Sequence, residues 1–304
     1  MDTALLESTA NFLVGPGRGI LAADESNGTM TKRLESVGVE SSPETRREYR
    51  ASLFAMPTIS KAISGVILYD ETIRQNAVDG TSIPDYLHAR NIMPGIKVDT
   101  GAKPLAGHGG ETVTEGLDGL RERCAEYFEM GARFAKWRAV IRISDTMPSE
   151  ACISTNAHAL ARYAAICQEQ GLVPIIEPEV LMEGDHDAVR CYAVTADVLA
   201  ATWDECKVQG VHLPGALLKP NMVLPGASSK EKISNDEIAK LVYGTRNQVS
   251  QILHDKDDRV FVVVGPCSIH DPESAIEYAN KLSNESKNFN ENLLIIMRVY
   301  FEKP

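Results

Sequence analysis

Residues 133–180 read RFAKWRAVIRISDTMPSEACISTNAHALARYAAICQEQGLVPIIEPEV, and they place a helical pattern between two short apolar runs. The runs 133–140 and 172–180 have the length of strands, and each is followed by a charged or Gly/Pro-rich stretch. Between them, ALARYAAICQEQG (159–171) has the apolar spacing of a helix and ends in the glycine that often follows one. This order predicts a strand–helix–strand unit with two parallel strands.

Six further apolar runs of the same kind extend this pattern along the chain. They lie at 19–24, 64–70, 94–99, 215–222, 259–268 and 293–301. Eight βα units predict a (β/α)8 TIM barrel of the α/β class, whose usual size is about 250 residues. An open doubly wound sheet is the alternative, but its glycine-rich turn would follow the first strand, whereas Gly15–Gly19 precedes it. The sequence therefore favours the barrel.

Composition places the chain among ordinary globular proteins. Of its 304 residues, 43% are hydrophobic and 24% are charged, and the formal net charge of −11 argues against a nucleic-acid partner. No apolar run approaches the length of a membrane span, about 18 residues, and the N-terminus is unlike a signal peptide. We therefore expect a cytoplasmic protein with no membrane partner. Its six cysteines form no C-x-x-C pair and are expected to be free thiols.

Charged side chains lie at the ends of five predicted strands, and in a barrel these C-terminal ends form the active-site face. The residues are Asp24, Lys97, Lys136, Arg138, Glu177, Glu179 and Lys219. Because side chains alternate along a strand, two residues at positions i and i+2 can face the barrel mouth together. A single charged residue at a strand end would need no functional explanation, because strands end where solvent begins. A set that mixes three lysines with three carboxylates predicts a catalytic site.

Lys219 is the strongest candidate for a nucleophile. It follows the apolar run Ala216–Leu218, and a second cation such as Lys136 beside it would lower the pKa of its amine. The neutral amine could then attack a carbonyl carbon, while a nearby pair of carboxylates transfers the protons that imine formation requires. This combination predicts a Schiff-base enzyme for phosphorylated sugars, which needs neither a metal nor a cofactor.

Six segments resemble class I fructose-bisphosphate aldolase, from about residue 5 to about residue 226. They are GRGILAADESNGTMTKRLESVGVE, SGVILYDETIRQ, GIKVDTGAKPLAG, GLDGLRERCAEYFEMGARFAKWR, LARYAAICQEQGLVPIIEPEVLMEGDHD and GALLKPNMVLPG. The resemblance implies a (β/α)8 barrel. It also implies a glycolytic lyase that cleaves fructose 1,6-bisphosphate reversibly to dihydroxyacetone phosphate and glyceraldehyde 3-phosphate.

The resemblance also implies a role for each candidate residue. Lys219 would form the Schiff base, and Glu177 would be the acid and base of the imine steps, with Glu179 beside it in the hydrogen-bond network. Asp24 would contact the substrate hydroxyl that loses its proton during carbon–carbon cleavage, and Lys136 would stabilise charge near the imine. The residues implied to lie toward the phosphate distal to the ketone are Lys97, Arg138 and Ser26.

The last part of the chain resembles a different barrel enzyme, DAHP synthase, which condenses phosphoenolpyruvate with erythrose 4-phosphate. The resemblance rests on TRNQVSQILHDKDDRVFVVVGPCSIHDPESAIEYAN and NLLIIMRVYFEKP, from about residue 240 to residue 304. It implies that Cys267 is a metal ligand and that Arg298 and Lys303 bind phosphate or carboxylate. Because one candidate ligand does not make a metal site, we expect no bound metal and no metal-dependent DAHP synthesis.

Together the two resemblances predict a chimera of two barrel families in a single domain, residues 1–304. The aldolase-like portion is 1–232, and the portion 233–304 would supply the last two βα units and complete the barrel. The alternative is a tail that does not pack. The aldolase loops for the ketone-side phosphate are replaced, so we expect impaired lyase activity. A phosphoenolpyruvate- or metal-binding activity of the C-terminal segment, a catalytically inactive scaffold and a homo-oligomer all stay open.

Overall fold

The structure is a computed structural model that describes residues 1–230, 244, 247–248, 251–252, 256–264, 272–288 and 290–297. The chain divides into two compact units. The first is Met1–Leu181 with Ala201–Asn221, and the second is Met182–Ala200 with Met222–Pro304. Within the described ranges, no helix has both the length and the apolar character needed to cross a membrane.

The first unit is built on a six-stranded parallel sheet with the strand order β1-β2-β3-β6-β7-β8. Its strands are β1 Gly19–Ala23, β2 Ile63–Leu68, β3 Met93–Lys97, β6 Phe134–Ile141, β7 Val173–Val180 and β8 Leu217–Leu218. Each overlaps one of the first six predicted strands, and strands that follow one another in this series are neighbours in the sheet. The fold is therefore an α/β fold with a curled parallel sheet of the TIM-barrel type. A closed barrel of eight strands stays a prediction.

Helices precede and connect these strands. They are α1 Thr3–Leu13, α2 Asn27–Ser36, α3 Pro43–Phe54, α4 Ile59–Ala62, α5 Asp70–Ile73, α6 Ile83–His88, α7 Leu120–Glu129, α8 Glu150–Glu169 and α9 Ala188–Val208. Among them, α1, α2, α3, α6 and α8 each begin at a residue whose polar side chain accepts from the helix backbone. Ser42 and Thr45 form a capping box at the start of α3. The Ser149 hydroxyl accepts a hydrogen bond from the backbone of Cys152 (3.1 Å) at the start of α8. These caps satisfy backbone N–H groups that would otherwise lack partners.

A short antiparallel hairpin, β4 Gly101–Pro104 with β5 Thr112–Glu115, lies between β3 and β6 in the chain. The sequence did not predict it, because its strands are only four residues long and lack an apolar run. The hydroxyl of Thr114 donates to the backbone carbonyl of Arg138 (2.7 Å), which fixes the hairpin to β6.

Helix α1 packs over the N-terminal ends of the central strands. Leu6 and Leu13 of α1 form a buried cluster with Phe134 at the start of β6 and Val173 at the start of β7. The aromatic ring of Phe134 occupies the space beside Gly95, where an added Cβ would lie 2.3 Å from two of its ring carbons. A glycine in β3 is therefore what lets this ring fill the end of the sheet.

Gly95→Ala should lower the free energy of unfolding by about 1–3 kcal/mol, because the new methyl group overlaps the fully buried ring of Phe134. Adding Phe134→Leu should restore part of the loss, since the smaller side chain leaves room for the methyl group. Gly28→Ala is the matched control, because a Cβ at this exposed position in α2 meets nothing within 4 Å. Urea unfolding measures the effect, and equal stability of the two single variants would contradict it.

The second unit contains two parallel strands and the helix between them. The strands β9 Val260–Val264 and β10 Leu293–Met297 pair in register, Val260 with Leu293, and α10 Pro272–Ser286 connects them. The strand–helix–strand order predicted for the end of the chain is thus confirmed. Among the described residues, this pair forms a sheet of its own. The completion of the barrel by residues 233–304 stays a prediction.

Candidate active site

Four strands of the six-stranded sheet contribute the lysines and carboxylates that meet at its C-terminal edge. Asp24 follows β1 directly, and Lys219 follows β8, where its backbone N–H donates to the carbonyl of Ile176 (2.9 Å). Lys136 and Glu177 lie within β6 and β7, which pair in parallel. Parallel strands end at the same edge of a sheet, so the four side chains meet there as predicted.

Glu177 is the centre of this group. Its side chain is only 2% exposed, and its Oε1 accepts a hydrogen bond from Nζ of Lys219. Its Oε2 lies 3.3 Å from Nζ of Lys136, an ion pair without hydrogen-bond geometry. Nζ of Lys136 in turn donates to Oδ2 of Asp24 (3.2 Å). The four residues therefore form one continuous chain of alternating charge, and the half-exposed Lys219 is its accessible end.

Lys136 is held in its charged form by the carboxylates around it. Burial alone would lower the pKa of its ammonium group, but the negative charges of Asp24, Glu177 and Asp99 outweigh burial and raise it. Lys136 is therefore a fixed positive charge that shares the carboxylate of Glu177 with Lys219. Because it stays protonated, it can stabilise developing negative charge but cannot act as the nucleophile.

A second charged pair lies farther along the same two strands. Nε of Arg138 donates to Oε2 of Glu179, and both side chains are partly exposed. Lys97 lies directly opposite Lys136 in the register of β3 with β6, and its Nζ lies 5.7 Å from the centre of the Tyr69 ring. These predicted phosphate-binding cations are thus at the edge that bears the lysine–carboxylate chain. Their role in binding phosphate stays a prediction.

Ser26 is the N-cap of α2 and lies two residues after Asp24. Its hydroxyl accepts from the backbone N–H of Thr29 (3.4 Å) and lies 3.1 Å from the hydroxyl of that residue. The cap fixes the start of α2 only a few residues after Asp24. Contact of Ser26 with a phosphate stays a prediction.

Asp99 is a site residue that the sequence analysis did not select. Its Oδ2 accepts from the backbone N–H of Arg138 (3.4 Å), and its Oδ1 accepts from that of Gly101 (3.2 Å). Burial raises the pKa of Asp99, although the charges of Lys97 and Lys136 oppose this. Its position two residues after Lys97, on the same face of an extended chain, was the signal that could have identified it.

The predicted site residues of the last segment, Cys267, Arg298 and Lys303, lie outside the described residues. In the part of the chain that the structure describes, no group of three or more His, Cys, Asp or Glu side chains could hold a metal. The described cysteines are buried free thiols, as predicted, and they are Cys124, Cys152, Cys167, Cys191 and Cys206.

A curled parallel sheet with a lysine nucleophile candidate, a buried carboxylate and further cations at its C-terminal edge defines a lysine-dependent enzyme of the barrel type. The family model "Fructose-bisphosphate aldolase class-I" matches residues 5–252, farther than the resemblance predicted from the sequence. The chain belongs to the class I fructose-bisphosphate aldolase family.

Individual relatives agree with this family. A probable class 1 fructose-bisphosphate aldolase from Xanthomonas axonopodis pv. citri is 54% identical over 240 residues, which are 79% of this chain and 72% of that protein. Fructose-bisphosphate aldolase C-B from Danio rerio is 55% identical over 235 residues, 77% of this chain and 65% of that protein. Among solved structures, fructose-bisphosphate aldolase from Plasmodium falciparum in complex with TRAP and a small-molecule inhibitor matches with a TM-score of 0.76 and 39% identity. That match covers 98% of this chain and 84% of the Plasmodium chain.

A second family model, "DAHP synthetase I family", matches residues 231–304. It overlaps the aldolase match over residues 231–252. The junction predicted from the sequence, within 226–245, lies partly in this overlap.

Lys136→Met should lower the free energy of unfolding by about 3–5 kcal/mol near pH 8, because Asp24 and Glu177 then keep their charges without this partner. The pKa of Lys136 is raised by folding. Its stabilising effect is therefore complete below 10.5, the ordinary lysine value, and is lost as the pH rises above that. The difference between wild type and variant should accordingly shrink above pH 10.5.

Denaturant unfolding at about pH 8 and about pH 11 measures this difference. Lys103→Met, which removes an exposed lysine of β4, is the control and should change stability little at either pH. A loss for Lys136→Met that is small near pH 8, or equal at both pH values, would contradict the buried ion pairs.

Proposed function

We propose that the chain cleaves fructose 1,6-bisphosphate reversibly into dihydroxyacetone phosphate and glyceraldehyde 3-phosphate through an imine on Lys219. The observation that supports this most directly is the buried carboxylate of Glu177, which has Lys219 on one oxygen and Lys136 on the other. Membership of the class I fructose-bisphosphate aldolase family supports the substrate and the lyase reaction.

Imine formation begins with a proton transfer within the Lys219–Glu177 pair. The ammonium group donates to Oε1, so transfer of this proton gives a neutral amine and a neutral acid. The amine attacks the ketone carbon, a carbon–nitrogen bond forms, and the electron pair of the carbonyl π bond moves to the oxygen. One proton then passes from the nitrogen to this oxygen and makes it a hydroxyl. Glu177 then returns its proton to the departing hydroxyl, which leaves as water. The result is a protonated imine, one water molecule and the carboxylate of Glu177.

Lys136 supplies fixed positive charge during these steps. Its ammonium group lies 3.3 Å from Glu177 and 3.2 Å from Asp24, and the surrounding carboxylates raise its pKa. It therefore stabilises the oxygen that becomes negative as the amine adds to the ketone. It does not compete with Lys219 for the carbonyl carbon, since a protonated amine is no nucleophile.

Carbon–carbon cleavage needs a base, and Asp24 lies at the end of the series of charged side chains opposite Lys219. Asp24 accepts the proton of the substrate hydroxyl, the carbon–carbon bond breaks, and its electron pair moves into the imine to give an enamine. The aldehyde leaves as glyceraldehyde 3-phosphate. Protonation of the enamine and hydrolysis of the imine then release dihydroxyacetone phosphate and restore Lys219.

The two phosphates of the substrate would be bound at different places. Lys97, Arg138 and Ser26 are proposed for the phosphate distal to the ketone. Arg298 and Lys303 are proposed, by analogy with the second family, as partial substitutes at the ketone side. Because the aldolase loops for the ketone-side phosphate are replaced, we expect a slower enzyme than a family member that has those loops.

Borohydride reduction in the presence of dihydroxyacetone phosphate tests the imine directly. We expect a covalent adduct on Lys219, located by peptide mass spectrometry. Lys219→Arg should abolish the adduct and lower kcat for fructose 1,6-bisphosphate cleavage by at least about 10⁴-fold, because no other amine takes over the nucleophile's role.

Lys207→Arg, at an exposed position near the end of α9, is the matched control and should leave both the adduct and kcat unchanged. Wild-type protein that gives no adduct on Lys219, or Lys219→Arg protein that retains turnover, would contradict the proposed mechanism.

We also propose that residues 233–304 form the last two βα units of the barrel and derive from the second family. The match to that family over 231–304 and the parallel β9–α10–β10 unit support this. The strands β1 and β8 are the edges of the six-stranded sheet, so closure requires β9 to pair with β8 and β10 with β1.

Amide hydrogen exchange on the full chain tests this closure. If β10 pairs with β1, the amides of both strands should be protected to the same free energy of opening, and the protein should unfold in a single transition. The six-stranded sheet supplies the control, because β2 and β3 pair with neighbours on both sides whether or not the barrel closes. Rapid exchange confined to β1 and β10 would contradict the closed barrel.

A cytoplasmic location is part of the proposal. Five free, buried cysteine thiols support it, because cytoplasmic proteins keep their thiols reduced. A homo-oligomer stays a prediction.

A further inference from the structure

Arg50 of α3 is a completely buried arginine next to the loop that bears Asp24. Its Nη1 donates to the hydroxyl of Thr72 (2.8 Å), and its Nη2 donates to the backbone carbonyl of Glu25 (2.6 Å). Nη2 also lies 3.7 Å from the carboxylate of Glu25. The guanidinium group therefore joins α3 and the start of α5 to the residue that directly follows Asp24.

Burying this cation is unfavourable in itself. Burial lowers the pKa of Arg50, although the charges of Glu25 and Glu71 oppose this effect, and its Nε finds no acceptor among the described residues. An apolar side chain of similar volume would fill the position without that cost. The presence of a buried arginine at position 50 therefore suggests that its hydrogen bonds serve a function in addition to packing.

The loop between β1 and α2 is short, so a hydrogen bond to the carbonyl of Glu25 restricts the backbone of the whole loop. It consists of Asp24, Glu25 and Ser26. Asp24 bonds to Lys136, and Ser26 caps α2, so both neighbours of Glu25 have assigned positions. The hydrogen bond from Arg50 fixes the peptide group between them.

A second arginine of α3, one turn earlier, supports the same loop. Nε and Nη2 of Arg46 donate to the two carboxylate oxygens of Glu71 (2.9 and 2.6 Å). Glu71 in turn accepts from the side-chain amide of Asn27, the first residue of α2 (3.3 Å). Helix α3 therefore holds the loop at its middle through Arg50 and at its end through Glu71.

We propose that Arg50 is a positioning residue for carbon–carbon cleavage, which it serves by holding the loop 24–26 so that Asp24 is placed beside Lys136. This inference rests on the proposed function. Imine formation uses Glu177, which lies within β7, and Lys219, which directly follows β8. Among the described residues, the side chains of this pair contact each other and Lys136, not α3. Loss of Arg50 should therefore affect the cleavage step and spare the imine step.

The experiment compares two assays in the same full-length variants. Arg50→Lys keeps the charge but loses the fork that reaches two acceptors, and Arg50→Met removes the charge at similar length. For both we expect kcat for fructose 1,6-bisphosphate cleavage to fall about 10²-fold, because small displacements of a reacting group have effects of this size. The KM should stay within about twofold, and the yield of borohydride-trapped imine on Lys219 should match wild type.

Circular dichroism gives the folded fraction of each variant, so kcat and trapping yield are both expressed per folded protein and partial unfolding does not mimic the effect. Arg47→Lys and Arg47→Met are the matched controls. Arg47 is the half-exposed neighbour of Arg46 on α3, 3.8 Å from Glu48, and its variants should behave as wild type.

The outcomes separate the two proposals. Wild-type protein without an imine adduct on Lys219 would contradict the proposed function itself. If wild type traps and cleaves normally, then unchanged kcat in the Arg50 variants would overturn the positioning role alone. A parallel loss of trapping and cleavage per folded protein would also overturn it, because Arg50 would then act on the site as a whole.

Discussion

The geometry of the site depends on one carboxylate that serves two lysines. Glu177 can hold Lys219 and Lys136 at once only because β6, β7 and β8 are adjacent and parallel. A shift of one residue in either strand pairing would turn a side chain to the opposite face of the sheet and break the chain of charges. The hydrogen-bonded register of the sheet, set by buried apolar residues far from the substrate, therefore determines the distances between the reacting groups.

The two halves of the proposed chemistry rest on different kinds of support. The imine-forming groups lie on or directly after strands, whose backbone hydrogen bonds already restrict them. Asp24 also follows its strand directly, but it begins the three-residue loop 24–26, which is held by partners outside the sheet. The arginines of α3 provide these partners at the price of burying charge. A rigid sheet and a tethered loop thus share one site.

Much of this arrangement could be predicted from the sequence, for a physical reason. Strands of a parallel sheet are buried on both faces, so each forms a continuous apolar run, and a charge at its end points to the active-site edge. The runs and the residues Asp24, Lys136, Glu177 and Lys219 could be identified in this way. The β4–β5 hairpin could not, since its strands are short and lack an apolar run. Arg50 could not be selected either, because its contact with Glu25 joins residues 25 positions apart.

The N-terminal ends of the strands are filled by side chains, and this bears on the order in which products leave. In the first unit, α1 and the ring of Phe134 occupy the N-terminal ends of the strands, so the lysine is reached from the opposite edge. Substrate entry and product exit would then share one opening. In the proposed reaction one fragment is bonded to Lys219 while the other is free, so the free aldehyde would depart before hydrolysis releases the ketone. The buried cluster at the N-terminal ends of the strands and the proposed covalent bond would together give the two products a fixed order of release through one opening.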